Sequence, residues 1–130
     1  MGVQNTVDYI TIASAGNATD FGDLTAAKTG VASCASPTRA LVGGGYNGSA
    51  EVNVIEYFTI ASTGNGTDFG DLRSTHSDGY AGSTHTRGLF QADAELNYVT
   101  IASLGNAADF GDVEDGLQSA GASNGHGGLA

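Results

Sequence analysis

One sixteen-residue phrase occurs three times in this chain. It runs from Tyr9 to Leu24, returns from Tyr57 to Leu72, and returns again from Tyr98 to Val113, sharing Thr-Ile-Ala-Ser-x-Gly-Asn and Asp-Phe-Gly-Asp at fixed positions. Self-similarity at a period of roughly 20–50 residues is the mark of repeat architectures, because one unit cannot bury its apolar face alone and leans on its neighbour. The chain therefore reads as a single repeat domain, 1–130, with repeats of approximately 7–53, 54–95 and 96–130.

Each repeat is expected to open with a strand. Val7–Ser14 and Val54–Ala61 are rich in β-branched and aromatic residues. Alternation places Val7 and Tyr9 on one face and Ile10 and Ile12 on the other, as in a strand covered on both sides. The Gly-Asn pairs at 16–17, 64–65 and 105–106 are expected to turn the chain, since both residues tolerate positive φ. A second strand follows at each Asp-Phe-Gly-Asp. The packing anchors between neighbouring sheets are expected to be Phe21, Phe69 and Phe110 with Tyr9, Tyr57 and Tyr98.

A small-residue stretch then supplies a third strand (Thr29–Ala35; Ser77–Ser83), and Thr38–Gly44 and Thr86–Phe90 a fourth. The fourth finds its hairpin partner in the next repeat's Tyr-bearing strand. His126–Ala130 matches this fourth segment, so it is expected to pair with an N-terminal strand, its own or a neighbouring copy's. That pairing would close a ring and remove exposed edges. Three four-stranded antiparallel units make the expected fold class all-β, with propeller blades completed by oligomerisation. A three-sheet β-prism-like monomer is the alternative, and a β-trefoil ranks third.

Composition narrows the function. Leu, Ile, Val and Phe make up a fifth of the chain, so the core is thin and contacts between repeats must contribute much of the stability. The formal charge of −10, with Lys and Arg numbering only 4, repels phosphate backbones and anionic lipid, so neither nucleic acid nor membrane is an expected partner. Cys34 is the only cysteine and reads as a small buried hydrophobe. The N-terminus carries no basic region followed by an apolar stretch, so no signal peptide is expected. No nucleophile–base arrangement stands out, and no carboxylate pair is unique, so an enzyme is not expected.

The run Ala40–Ser49, then Asn53–Phe58, then a turn and an aromatic, resembles a kelch-type blade, with Phe69 where that family usually carries Trp. The phrase Ile-Ala-Ser-x-Gly-Asn-x-x-Asp-Phe-Gly-Asp resembles repeats in tail-fibre and other virion proteins of marine bacteriophages, notably cyanophages. The resemblance covers nearly the whole chain. It implies a structural protein of a virion surface, a head decoration, knob or tail-appendage component, assembled in the host cytoplasm and extracellular in the mature particle. Its partners would be copies of itself, capsid or tail proteins, or a host-surface glycan. A carbohydrate-binding module and the subunit of an extracellular filament are the alternatives.

Two sets of polar residues remain. The pairs Asp20/Asp23, Asp68/Asp71 and Asp109/Asp112 could hold Ca²⁺, which takes six to eight oxygens, but read first as structural carboxylates accepting backbone N–H bonds. No cofactor is otherwise expected. Arg39 and Arg87, at one repeat position, are expected to bridge repeats through an aspartate of the adjacent sheet. The third repeat has Gly there.

Overall fold

The structure, a computed structural model, describes residues 2–114. Ten strands follow one another in this span without a helix: β1 Gln4–Tyr9, β2 Thr19–Lys28, β3 Ala32–Ala35, β4 Arg39–Gly43, β5 Val54–Thr59, β6 Thr67–Asp71, β7 Ala81–Ser83, β8 Arg87–Ala92, β9 Glu95–Thr100 and β10 Ala108–Asp112. They form three antiparallel sheets, of two strands (β1-β2), four (β3-β4-β5-β6) and four (β7-β8-β9-β10). The fold is all-β. Every described neighbour in a sheet is also a neighbour in sequence, so within each sheet all connections are hairpins.

Each four-stranded sheet straddles two sequence repeats. Strands β3 and β4 belong to the end of the first repeat, yet β4 pairs with β5 of the second, Leu41 opposite Tyr57. Likewise β8 pairs with β9, Leu89 opposite Tyr98. The tight β3–β4 and β7–β8 turns use one device: Ser36 Oγ accepts the Arg39 N–H at 3.1 Å, and Thr84 Oγ1 accepts the Arg87 N–H at 3.1 Å. Local side-chain acceptors of this kind hold a backbone turn without glycine. The first sheet has only two strands among the described residues, not the expected four. The segment expected to pair with β1, His126–Ala130, lies outside the described residues.

Two local expectations are corrected. The Tyr-bearing strands end at Tyr9, Thr59 and Thr100 rather than running on through Ile-Ala-Ser. There the chain bends back, with Ser14, Ser62 and Ser103 donating to the carbonyls of Thr11, Thr59 and Thr100 at 3.1, 3.3 and 3.1 Å. The tight turn is therefore Thr-x-x-Ser, not Gly-Asn. The isoleucine of each Thr-Ile-Ala-Ser accordingly leaves the strand's alternation, and its environment is set by the neighbouring sheet. Ile12 is 94% exposed, Ile60 43% and Ile101 1%.

The core lies between the two four-stranded sheets. Leu41, Ile55, Phe69, Leu72, Phe90, Val99 and Ile101 are all buried there. Small residues admit close approach: a Cβ at Gly43 would sit 3.0 Å from the Phe90 ring, and one at Gly88 2.9 Å from Cys34 Sγ. Cys34 packs against this core, and burial pushes its thiol up to about 12. At roughly 25 cal/mol per Å² of apolar surface, each fully buried Leu, Ile or Phe contributes about 2–3 kcal/mol.

Candidate assembly interface

The Gly-Asn and Asp-Phe-Gly-Asp parts of the phrase are used where one repeat meets the next. After the Thr-x-x-Ser turn, the Gly-Asn segment of the second repeat extends along the Asp-Phe-Gly-Asp strand of the first. The Gly64 N–H donates to the Phe21 carbonyl at 2.8 Å and the Gly66 N–H to the Asp23 carbonyl at 2.7 Å. In return the Asp23 N–H donates to Asn65 Oδ1 at 3.0 Å. Two residues past the Asp-Phe-Gly-Asp motif, the Thr25 N–H donates to Glu56 Oε2 at 2.7 Å.

The same four bonds recur between the second and third repeats. Gly105 donates to the Phe69 carbonyl at 2.9 Å and Ala107 to the Asp71 carbonyl at 2.8 Å. The Asp71 N–H donates to Asn106 Oδ1 at 3.1 Å, and the Arg73 N–H to Asn97 Oδ1 at 3.2 Å. Asn suits the middle position because its amide oxygen accepts where a strand would offer a carbonyl. Glycine is required on the receiving strand. A Cβ at Gly22 would lie 2.3 Å from the Gly64 carbonyl oxygen, and one at Gly70 2.3 Å from that of Gly105, at φ of 151° and 147°. The joint is thus a short run of bonds between segments running in the same direction, and its side-chain requirements explain why the Gly-Asn pair and the glycine of Asp-Phe-Gly-Asp recur.

The aspartates take three roles in this arrangement. Asp23 and Asp71 serve the joint through their backbone groups. Asp109 pairs with Arg73, Nη1 to Oδ1 2.9 Å, with Glu95 further off at 3.7 Å. Asp20, Asp68 and Asp112 carry exposed side chains. Among the described residues no three His, Cys, Asp or Glu side chains converge.

Arg39 does reach the adjacent sheet, but its acceptor is a backbone carbonyl: Nη1 donates to Ile101 O at 2.9 Å, and the guanidinium lies 4.6 Å above the Tyr57 ring. Arg87 lies 4.8 Å above Tyr98 in its own sheet. Among the described residues, neither pairs with an aspartate. The hairpin register explains this: β4 and β8 run beside the Tyr-bearing strands, so a planar cation meets an aromatic face before it meets a carboxylate.

The aromatic anchors pack within the phrase itself. Tyr9–Phe21, Tyr57–Phe69 and Tyr98–Phe110 meet edge to face at 5.8, 6.2 and 6.2 Å, and Phe21 also contacts Phe58 of the second sheet at 5.9 Å. Their burial differs sharply: Phe69 is buried, Phe21 half-buried, and Phe110 is 55% exposed.

One feature escaped the sequence reading. Lys28 and Glu56, both buried, form an ion pair at 2.5 Å that ties β2 to β5. A buried pair needs its remaining valences satisfied, and Glu56 meets part of this by also accepting the Thr25 N–H. The available signal was positional. Asp8, Glu56 and Asn97 occupy one place in the repeat, always an acceptor between an aliphatic residue and the phrase's tyrosine.

Beside the first hairpin lies an apolar groove of about 250 Å³, lined by Val7, Tyr9, Phe21, Val42, Phe58 and Ile60. Comparison with protein-family models finds no match to this chain, and no characterised protein matches it significantly.

Proposed function

We propose that the chain is a structural subunit of a bacteriophage virion surface, a head decoration or tail-appendage component, acting by packing against other protein chains rather than by catalysis. The observation that carries the reading is the twice-repeated backbone joint. The Gly-Asn pair and the glycine of Asp-Phe-Gly-Asp, which recur in all three phrases, hold one repeat to the next at both junctions, which is what an assembly protein needs from its sequence. In this reading the sheets are kelch-like propeller blades. Since propellers usually have about four to eight blades, further copies complete the ring. The acidic surface keeps such subunits soluble until they dock.

The test is immunogold labelling of cyanophage particles with antibodies raised against the purified chain. Label on intact particle surfaces supports the reading; unlabelled particles from lysates that contain the chain overturn it. Glycan-array binding abolished by Tyr46→Ala, at an exposed tyrosine outside the repeated phrase, would instead make the chain a carbohydrate-binding module.

A further inference from the structure

Each joint has a giving half and a receiving half, and the three phrases form two joints, leaving one half of each kind open. The open giving half is in the first repeat: the N–H groups of Gly16 and Ala18, Asn17 Oδ1, and the Asp8 carboxylate. The open receiving half is in the third: the carbonyls of Phe110 and Asp112 and the N–H groups of Asp112 and Glu114. None of these groups has a partner of this kind among the described residues. The receiving half is already shaped for its occupant. Gly111 sits at φ 150°, as Gly22 and Gly70 do at 151° and 147°, yet among the described residues nothing lies within 4 Å of where its Cβ would be. The giving half differs in one respect: Gly64 and Gly105, both docked, have φ of 159° and 153°, whereas Gly16 does not take a positive φ.

We infer that a second copy of this chain docks here, its Gly16-Asn17-Ala18 segment lying along Phe110-Gly111-Asp112 of the first, with Asp8 accepting the Glu114 N–H. The occupant is specified by continuity with the two joints inside the chain, which use the same residues in the same register. The contact is heterologous, so it propagates head to tail and ends either in a closed ring or in an open chain. The exposure of Phe110 has the same cause. Its equivalents Phe21 and Phe69 are covered by the repeat that follows, and Phe110 waits for the next copy.

One substitution distinguishes the open joint from the closed ones. Glu114 stands where Arg73 stands, and Arg73 pairs with Asp109 of the following repeat. Across the copy-to-copy joint Glu114 instead meets Asp20, in a chain already carrying −10. Like charges here weaken docking at low ionic strength, so added salt strengthens association, the reverse of an ion-pair interface.

This inference rests on the packing role proposed above but not on the virion placement. Sedimentation velocity of the full chain, from micromolar to millimolar and at low and high salt, tests it. Wild type is expected to associate with rising concentration, more so in salt. Asn17→Ala removes one hydrogen bond and should weaken association about fivefold. Gly111→Ala places a methyl against the incoming Gly16 carbonyl and should abolish association. Glu114→Arg restores the Arg73-type pairing and should tighten association several-fold at low salt. A single-chain mass at every concentration, in salt and for Glu114→Arg alike, overturns the inference. So does association that neither Asn17→Ala nor Gly111→Ala changes. Association by chains whose antibodies label no virion would keep this joint and dismiss the virion reading, and labelled virions with a strictly monomeric chain would do the opposite.

Discussion

Gly70 and Gly111 form a controlled pair, since they occupy the same phrase position at φ 147° and 150° but only one of them is covered. Placing Ala at either forces a side chain into a backbone region suited to glycine, at about 1–3 kcal/mol. At Gly111 that is the whole effect, provided the protein is dilute enough for copies to be separate. At Gly70 the new Cβ would also lie 2.3 Å from the Gly105 carbonyl oxygen and 3.0 Å from the Asn106 nitrogen. Neither is the far end of a flexible side chain, so the joint must open. Opening releases three hydrogen bonds, from Gly105 to Phe69, from Ala107 to Asp71, and from Asp71 to Asn106. At about 1 kcal/mol net each, these add roughly 3 kcal/mol. Gly70→Ala should therefore cost about 4–6 kcal/mol, and Gly111→Ala about 1–3. Urea unfolding followed by circular dichroism, at micromolar protein, reads the difference as a midpoint shift with unchanged slope. Should Gly70→Ala itself fail to fold, Asn106→Ala against Asn17→Ala makes the same comparison at about 1 kcal/mol against none. Equal losses within either pair would refute the idea that these phrases hold the repeats together.

Breaking the buried Lys28–Glu56 pair by Lys28→Met should destabilise by about 3–5 kcal/mol in a thermal melt, because Glu56 is left buried and uncompensated. Replacing both by apolar residues should cost distinctly less. Arg39→Lys should lose about 1 kcal/mol by weakening the stack on Tyr57 and the directed bond to Ile101 O, measured by the same melts. Cys34 should react with a disulfide reagent at pH 8 far more slowly in the folded chain than in urea. Burial raises its thiol to about 12 from an ordinary 9.0, so the folded state holds a proton that the unfolded state releases in between. Its contribution to stability is thus full below pH 9 and declines as the pH rises toward 12; a Cys34→Ala chain should lack that part of the alkaline decline.

Much of this architecture is legible in the repeated phrase, and what is not legible has a common physical cause. The all-β class follows from β-branched and aromatic runs separated by Gly and Asn, and the pairing of Leu41 with Tyr57 follows from their order in the chain. The alternation rule fails at Ile12, Ile60 and Ile101, because their strands have already stopped at Tyr9, Thr59 and Thr100. These identical residues in identical local sequence then run from fully exposed to fully buried according to what lies beside them. Arg39 was readable as a link between repeats, but its acceptor was not, since a carbonyl of residue 101 leaves no trace in composition. The Gly-Asn pair has strong turn propensity, yet at 64–65 and 105–106 it forms an extended joint, where docking on the preceding strand offers two backbone–backbone bonds and one to the Asn amide oxygen that a local turn cannot.

The most direct measurement is residue-resolved amide exchange of the wild-type chain across a dilution series. Gly64, Gly66, Gly105 and Ala107 donate within the chain and should be protected at every concentration. Gly16 and Ala18 should exchange freely when dilute and become comparably protected when concentrated. Protection at 64, 66, 105 and 107 that is absent, or free exchange at 16 and 18 even in concentrated, salted protein, would contradict the claim that one joint is used within the chain and again between copies.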